Sequence, residues 1–278
     1  KLLLSALAAC LAVLQVDAQT RYLDEVFDEV TVTTNVVYGE NITVIPALQG
    51  MPPAMEDLKC DIYEPTGDTE TNRPLLLIFH TGNFLPPFVN GGVLGTKSDN
   101  WEVEMATRYA KMGYVVASCD YRLGWNPLAS TQQERTLQLI QAAYRGVQDS
   151  RTAVRYFRMS EAEEGNPHGI DPDKIGMIGN GTGGYITLAS STIESYNDII
   201  LDDTGAPITK FWYNPGDGSY IPMVIEGIHG NPDATTDTYA PASLGGFQLC
   251  AANHVGYSSD FNFQMNAGGA LGDLNWLD

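Results

Sequence analysis

Lys174-Ile-Gly-Met-Ile-Gly-Asn-Gly-Thr-Gly-Gly-Tyr-Ile-Thr-Leu-Ala-Ser190 carries a short apolar run from Ile175 to Ile178, a cluster of glycines, and then a stretch of small and apolar residues. The pattern predicts a strand, a tight turn and a buried helix. Two chemistries place such a turn at a strand end. In the nucleophile elbow, G-x-S-x-G, crowding around a strained nucleophile requires glycine on both sides. In the dinucleotide fingerprint, G-x-G-x-x-G, backbone N–H groups at a helix start meet a pyrophosphate. Gly179-Asn-Gly-Thr-Gly-Gly184 fits the second pattern literally, and the first everywhere except at the nucleophile.

Upstream, the chain supplies several strands before this turn. Leu58-Lys-Cys-Asp-Ile-Tyr-Glu-Pro65 alternates as a strand, and Pro74-Leu-Leu-Leu-Ile-Phe-His80 is apolar on both faces, as the middle of a parallel sheet requires. It empties into His80-Thr-Gly-Asn-Phe84 and a Pro- and Gly-rich loop. Trp101 to Met112 reads as a helix stopped by Gly113, followed by the strand and exit turn Tyr114-Val-Val-Ala-Ser-Cys-Asp-Tyr-Arg-Leu-Gly124. Thr131 to about Glu164 forms a long amphipathic helix, with Leu137, Ile140, Tyr144, Val147, Val154 and Phe157 on its core side. Ahead of all these, Val30–Tyr38 and Asn41–Ile45 read as short strands of a leading antiparallel edge. The order calls for a parallel α/β sheet flanked by helices. A Rossmann fingerprint normally follows the first strand of its domain, whereas here at least three come first. Asp198 and Asp202 lie near the distance of a ribose-binding acid, which keeps a dinucleotide reading of Gly179–Gly184 open.

From Asp61 to about Ser190 the chain resembles an α/β-hydrolase of the carboxylesterase kind. The features that carry the resemblance are Asp61-Ile-Tyr-Glu-Pro, the strand into His80-Thr-Gly-Asn-Phe, Gly113 to Gly124, Gln148-Asp-Ser-Arg-Thr-Ala-Val-Arg-Tyr-Phe-Arg158, and Gly169-Ile-Asp-Pro-Asp-Lys-Ile-Gly-Met-Ile-Gly179. More loosely, the whole resembles exported hydrolase-like proteins with a C-terminal sorting tail. The resemblance implies an α/β-hydrolase fold in which Gly82, Asn83 and Thr182 present backbone N–H groups as an oxyanion hole. It puts Gly181 at the nucleophile position, where no side chain can form an acyl-enzyme. Thr182, one residue on, is the nearest hydroxyl. An acid and a His should follow in chain order, which makes Asp233 and His254 the candidates. Phe261 to Ala270 resembles the strand after the elbow helix, so the strands that normally bring acid and base are expected beyond Asp278, and the fold is expected to be truncated there.

Residues 191–258 are rich in Pro and Gly and read as an insertion or cap, whose Trp212, Tyr213, Tyr220, Tyr239 and Phe247 either line a pocket or pack it down. At 278 residues and 44% hydrophobic the chain can bury a large core, and one domain over residues 19–278 is the expectation. A net charge of −19 excludes nucleic acid and anionic lipid surfaces as partners. Lys1 to Ala18 has the basic start, apolar run and small-x-small end of a secretory signal peptide, and Leu7-Ala-Ala-Cys10 imitates a lipoprotein box. Removal of that segment leaves Cys60, Cys119 and Cys250, an odd number in a compartment where disulfides form, with no spacing that selects a pair. No metal-site or EF-hand spacing is present, and no cofactor is expected. The residues thus predict an exported, carboxylesterase-like protein. It is either a pseudoenzyme that binds a small neutral ester-like ligand or cell-surface partner, or a hydrolase with an atypical nucleophile.

Overall fold

The computed structural model describes residues 20–91 and 94–277. The expected signal peptide, its expected cleavage after Ala18, and Cys10 lie outside these residues. Six strands form the central sheet: β1 (Val30–Thr43), β2 (Ala54–Pro65), β3 (Arg73–Phe79), β4 (Val115–Cys119), β5 (Ile170–Asn180) and β6 (Phe263–Ala267). Their spatial order is β1-β2-β4-β3-β5-β6. The first two are antiparallel to their neighbours, and the remaining four run parallel. The all-apolar β3 therefore lies between β4 and β5, covered on both faces.

The period of two along β3 decides which helix each residue meets. Leu75, Leu77 and Phe79 join Ile175 and Met177 against Ala153, Val154 and Phe157 of helix α2 (Gln132–Glu164) and Ile186 of helix α3 (Thr182–Thr192). Leu76 and Ile78 face the other way, onto Ala106 and Ala110 of helix α1 (Asn100–Lys111). A capping box, in which Thr131 and Glu134 bond each other's backbone N–H, starts α2, and Gly165 at φ 76° ends it. The two short strands expected at the leading edge are one 14-residue strand, β1. Register shifts between Thr33 and Val36 and between Val37 and Gly39 bend the strand without ending it. Within the first of them Asn35 takes a φ of 57° and donates its backbone N–H to the Asp61 carboxylate at 2.8 Å.

Residues 191–258 hold two short helices (Tyr196–Ile200 and Glu226–His229) and two small hairpins. Their apolar residues Ile193, Ile199, Ile208, Phe211 and Val224 pack on Tyr144 and Val147 of α2 and Ala189 of α3. Trp212 is half-buried and donates its indole N–H to the Ile200 carbonyl, whereas Tyr220 and Tyr239 are 65% and 55% exposed.

Cys60 of β2 and Cys119 of β4 stand directly opposite one another, and they and Cys250 are free and buried. Burial pushes the Cys119 and Cys250 thiols up, which starves them of the reactive thiolate. Iodoacetamide at neutral pH, followed by peptide mass mapping, should leave all three unmodified in the native protein and label all three in urea. Rapid native labelling of Cys119 would contradict the packing of β2 on β4.

Candidate active site

The carboxyl ends of β3, β4 and β5 meet around the glycine turn. β5 ends at Asn180, Gly181 caps α3 at φ 53° and ψ −112°, and the helix begins at Thr182. That backbone conformation is open to glycine and strained for other residues. Gly179 and Gly183 are required sterically. A Cβ on Gly179 would overlap the Gly183 carbonyl, and one on Gly183 would overlap the Phe79 carbonyl, both well inside 3.0 Å. The Gly181 N–H donates to the Ala267 carbonyl at 2.9 Å, which ties the turn to the end of β6. These are the mechanical demands of a nucleophile elbow, with helix start, central strand and neighbouring strand in mutual contact.

No hydroxyl stands on the elbow itself. The space a side chain at position 181 would enter is filled from β3's exit: a Cβ built on Gly181 would overlap the Thr81 hydroxyl and lie 2.8 Å from the Thr81 Cβ. Thr182 is 9% exposed, and its hydroxyl lies 3.1 Å from the Tyr121 phenol, which donates its single proton to the His80 carbonyl at 2.9 Å. The Thr182 hydroxyl is therefore the donor in that contact, directed behind the turn. Burial pushes the Tyr121 phenol up, so it stays protonated.

His80 is fully buried and stacked on Tyr121, with ring centroids 4.4 Å apart. Its Nδ1 donates to the Thr81 carbonyl at 2.6 Å, while Nε2 lies 3.6 Å from the Asp120 carboxylate, beyond hydrogen-bond range. Burial pushes the imidazole down and the Asp120 carboxyl up. The following loop runs through three positive φ values, Gly82 at 121°, Asn83 at 58° and Phe84 at 55°. It is held by Trp125, whose indole N–H donates to the Asn83 carbonyl at 2.8 Å, and by the Asn90 amide on the Gly82 carbonyl at 3.2 Å. The backbone N–H groups of Gly82 and Asn83 make no hydrogen bond among the described residues. Asn180 donates to Glu102 of α1 at 2.9 Å; among the described residues the second oxygen of that buried carboxyl has no hydrogen-bond partner, and burial raises its pKa.

The structure thus brings Gly82, Asn83, Gly181 and Thr182 to one edge of the sheet and leaves Asp233 and His254 elsewhere. Asp233 pairs with Arg151 of α2 at 3.2 Å, in a cleft it shares with Asp260 to Phe263 at the start of β6. That is the amino edge of the parallel strands, opposite the elbow. His254 packs on Tyr156 in the second half of α2 and hydrogen-bonds the Tyr38 carbonyl at 2.8 Å. The reason is α2 itself, which returns from the carboxyl edge to the amino edge and carries both contacts with it. Among the described residues neither Asp233 nor His254 hydrogen-bonds the other or the elbow. The other downstream histidine, His229, receives the Ile225 N–H at 2.9 Å, and burial pushes it down to about 4. Among the described residues no cluster of His, Cys, Asp or Glu could hold a metal.

Three participants were not anticipated. Thr81 stands between His80 and Gly82 with no sign of its role, because its contact with Gly181, 100 positions on, is invisible in one sequence. Tyr121 and Glu102 look in the sequence like ordinary strand-exit and helix residues, and only the convergence of β4 and α1 on the turn gives them a place.

The strand order, the parallel core of the sheet and the turn after β5 define an α/β-hydrolase fold. No family model matches the chain, and no curated protein does. Among solved structures it is similar to a thermophilic esterase from the Planctomycetes species Thermogutta terrifontis, at 21% identity over 64% of this chain and 47% of that one, with a TM-score of 0.32. It is similar to a bacterial heroin esterase at 24% identity, covering 66% of this chain and 44% of that one, with a TM-score of 0.36. Esterase B from Lactobacillus Rhamnosis gives 20% identity, coverage of 69% and 49%, and a TM-score of 0.36. The chain spans about half the length of these structures.

Proposed function

We propose that the protein is an exported, carboxylesterase-like binding protein: an α/β-hydrolase frame in which residues 19–278 form one domain and acyl transfer does not occur. Its ligand is a small neutral ester-like molecule or a cell-surface partner. The observation that carries this reading is the pairing of Gly181 with Thr81. The elbow keeps its glycines and its strained conformation, yet the space for a nucleophile is occupied from the neighbouring strand. Acyl transfer needs a nucleophile with a base in reach, and Thr182 gives its proton to Tyr121 rather than to a base. The unpaired N–H groups of Gly82 and Asn83 suit a ligand carbonyl without requiring its cleavage. Export rests on the signal-like first 18 residues, with anchoring at Cys10 as the variant of it. A dinucleotide role for Gly179–Gly184 has less support, because the glycine turn follows the fifth strand here and the first in nucleotide-binding sheets.

Hydrolysis of p-nitrophenyl acetate and butyrate by the wild type should not exceed the buffer rate. Turnover that disappears in Thr182→Ala would instead establish an atypical nucleophile. The occupied slot has its own test. Gly181→Ser alone should destabilise by about 2–4 kcal/mol, combining an unfavourable backbone with overpacking. Adding Thr81→Gly should recover about 1–3 kcal/mol of that loss as a coupling energy in a double-mutant cycle followed by urea unfolding. Strict additivity would mean that Thr81 does not fill the space.

A further inference from the structure

We propose a second binding site, for a carboxylate that carries an apolar body, in the groove lined by Arg145. The groove, about 520 Å³, runs between the β4 exit segment, the turn after β1 and the first half of α2. Its walls include Val44, Leu48, Trp125 and Leu128, and Leu128 and Leu48 are 88% and 39% exposed although apolar. At its base sits Arg145, 9% exposed.

The state of that guanidinium points to an anion. Nη2 donates to the Gly124 carbonyl at 2.6 Å, Nε is buried with no partner, and Nη1 makes no hydrogen bond among the described residues. Among the described residues no carboxylate pairs with it. Asp149, whose charge acts on it, is committed to Arg122, receiving its backbone N–H at 2.7 Å and its guanidinium at 2.8–3.0 Å. Glu56, the other acid within electrostatic reach, is held toward its neutral form by burial. Arg122 and His229 add no negative charge. Burial and the Arg122 charge push Arg145 down to about 9, so it remains a cation at neutral pH with most of its donors unused. A buried cation in this condition gains from an incoming carboxylate, and a guanidinium offers the two-pronged geometry such a group accepts. The adjoining apolar walls fit an alkyl or aryl chain.

The site is reached without the elbow. Trp125, one of its walls, holds the Asn83 carbonyl, so the groove backs onto the Gly82–Asn83 loop, but nothing in it depends on whether ester hydrolysis occurs. The two readings therefore fail separately.

Calorimetric titration of the whole protein with sodium octanoate tests the site, with 1-octanol and acetate as the uncharged and the chainless comparisons. Octanoate should bind and raise the melting temperature, and acetate should do neither. Arg145→Met should weaken octanoate binding roughly 10- to 100-fold, the share expected of a charged hydrogen-bonded contact. Arg145→Lys should recover part of that loss. Ala47 is exposed on the groove rim, so Ala47→Trp should block the groove while leaving the core untouched; it decides the matter if the Arg145 variants fold poorly. Equal binding of octanoate and 1-octanol, octanoate binding that survives Ala47→Trp, or no octanoate binding at millimolar concentration would each overturn the proposal.

Discussion

Gly183→Ala is expected to lower the unfolding free energy by about 3 kcal/mol or more. The added Cβ meets the Phe79 carbonyl and lies 3.0 Å from the His80 carbonyl, both backbone atoms at the end of the central strand. A crowded side chain can change rotamer, but β3 is hydrogen-bonded on both sides and cannot retreat. Relief would have to come from lifting the start of α3, which also carries the Thr182 contact with Tyr121. Urea unfolding followed by circular dichroism reads the loss directly. Gly227→Ala is the control: it sits in a short helix with no atom within 4 Å of its built Cβ, and should be neutral or stabilising by up to about 1 kcal/mol. If Gly183→Ala unfolds at the wild-type midpoint, the close approach of elbow and β3 does not exist.

Asp149→Ala should cost about 3–5 kcal/mol, because it strands a cation where water cannot reach it. Arg122 and Asp149 are both fully buried. The guanidinium also meets the Ile42 carbonyl and the Gln148 side-chain oxygen, so β1, the β4 exit and α2 are joined at one point. Removing the carboxylate leaves Arg122 facing Arg145 with no negative charge between them. The double variant Arg122→Met/Asp149→Leu should be much less destabilised than Asp149→Ala, since an apolar pair requires no desolvated charge. The same unfolding assay distinguishes the cases, and equal losses in both variants would locate the cost in packing rather than in charge.

The sheet was readable from residues because its signals are local. The apolar run from Leu75 to Phe79, the Gly113 stop and the Gly179–Gly184 cluster each report on a few neighbouring positions, and each sits where its pattern predicts. The site was readable only in part. Gly82, Asn83, Gly181 and Thr182 come from two such local signals, and the fold draws them to one edge. Chain order points to Asp233 and His254, but it carries no information on which edge of the sheet a loop reaches. The direction of α2 sends them to the other one. The residues suggest two strands where β1 is continuous because Gly39-Glu40 looks like a break, although a register shift between Val37 and Gly39 carries the strand through it. The opposition of Cys60 and Cys119 is a matter of strand register, which composition does not specify.

The contact between Thr81 and Gly181 also limits the order in which substitutions can accumulate. Gly181→Ser made alone puts the new side chain into Thr81. The opposite order is open, because a smaller residue at position 81 empties a space without forcing anything into it. A hydroxyl can therefore be installed on this elbow by a two-step route whose first step has no catalytic benefit, so selection for ester cleavage has nothing to act on until the second. The present atoms of the elbow therefore constrain the order of change at positions 81 and 181 as well as the space between them.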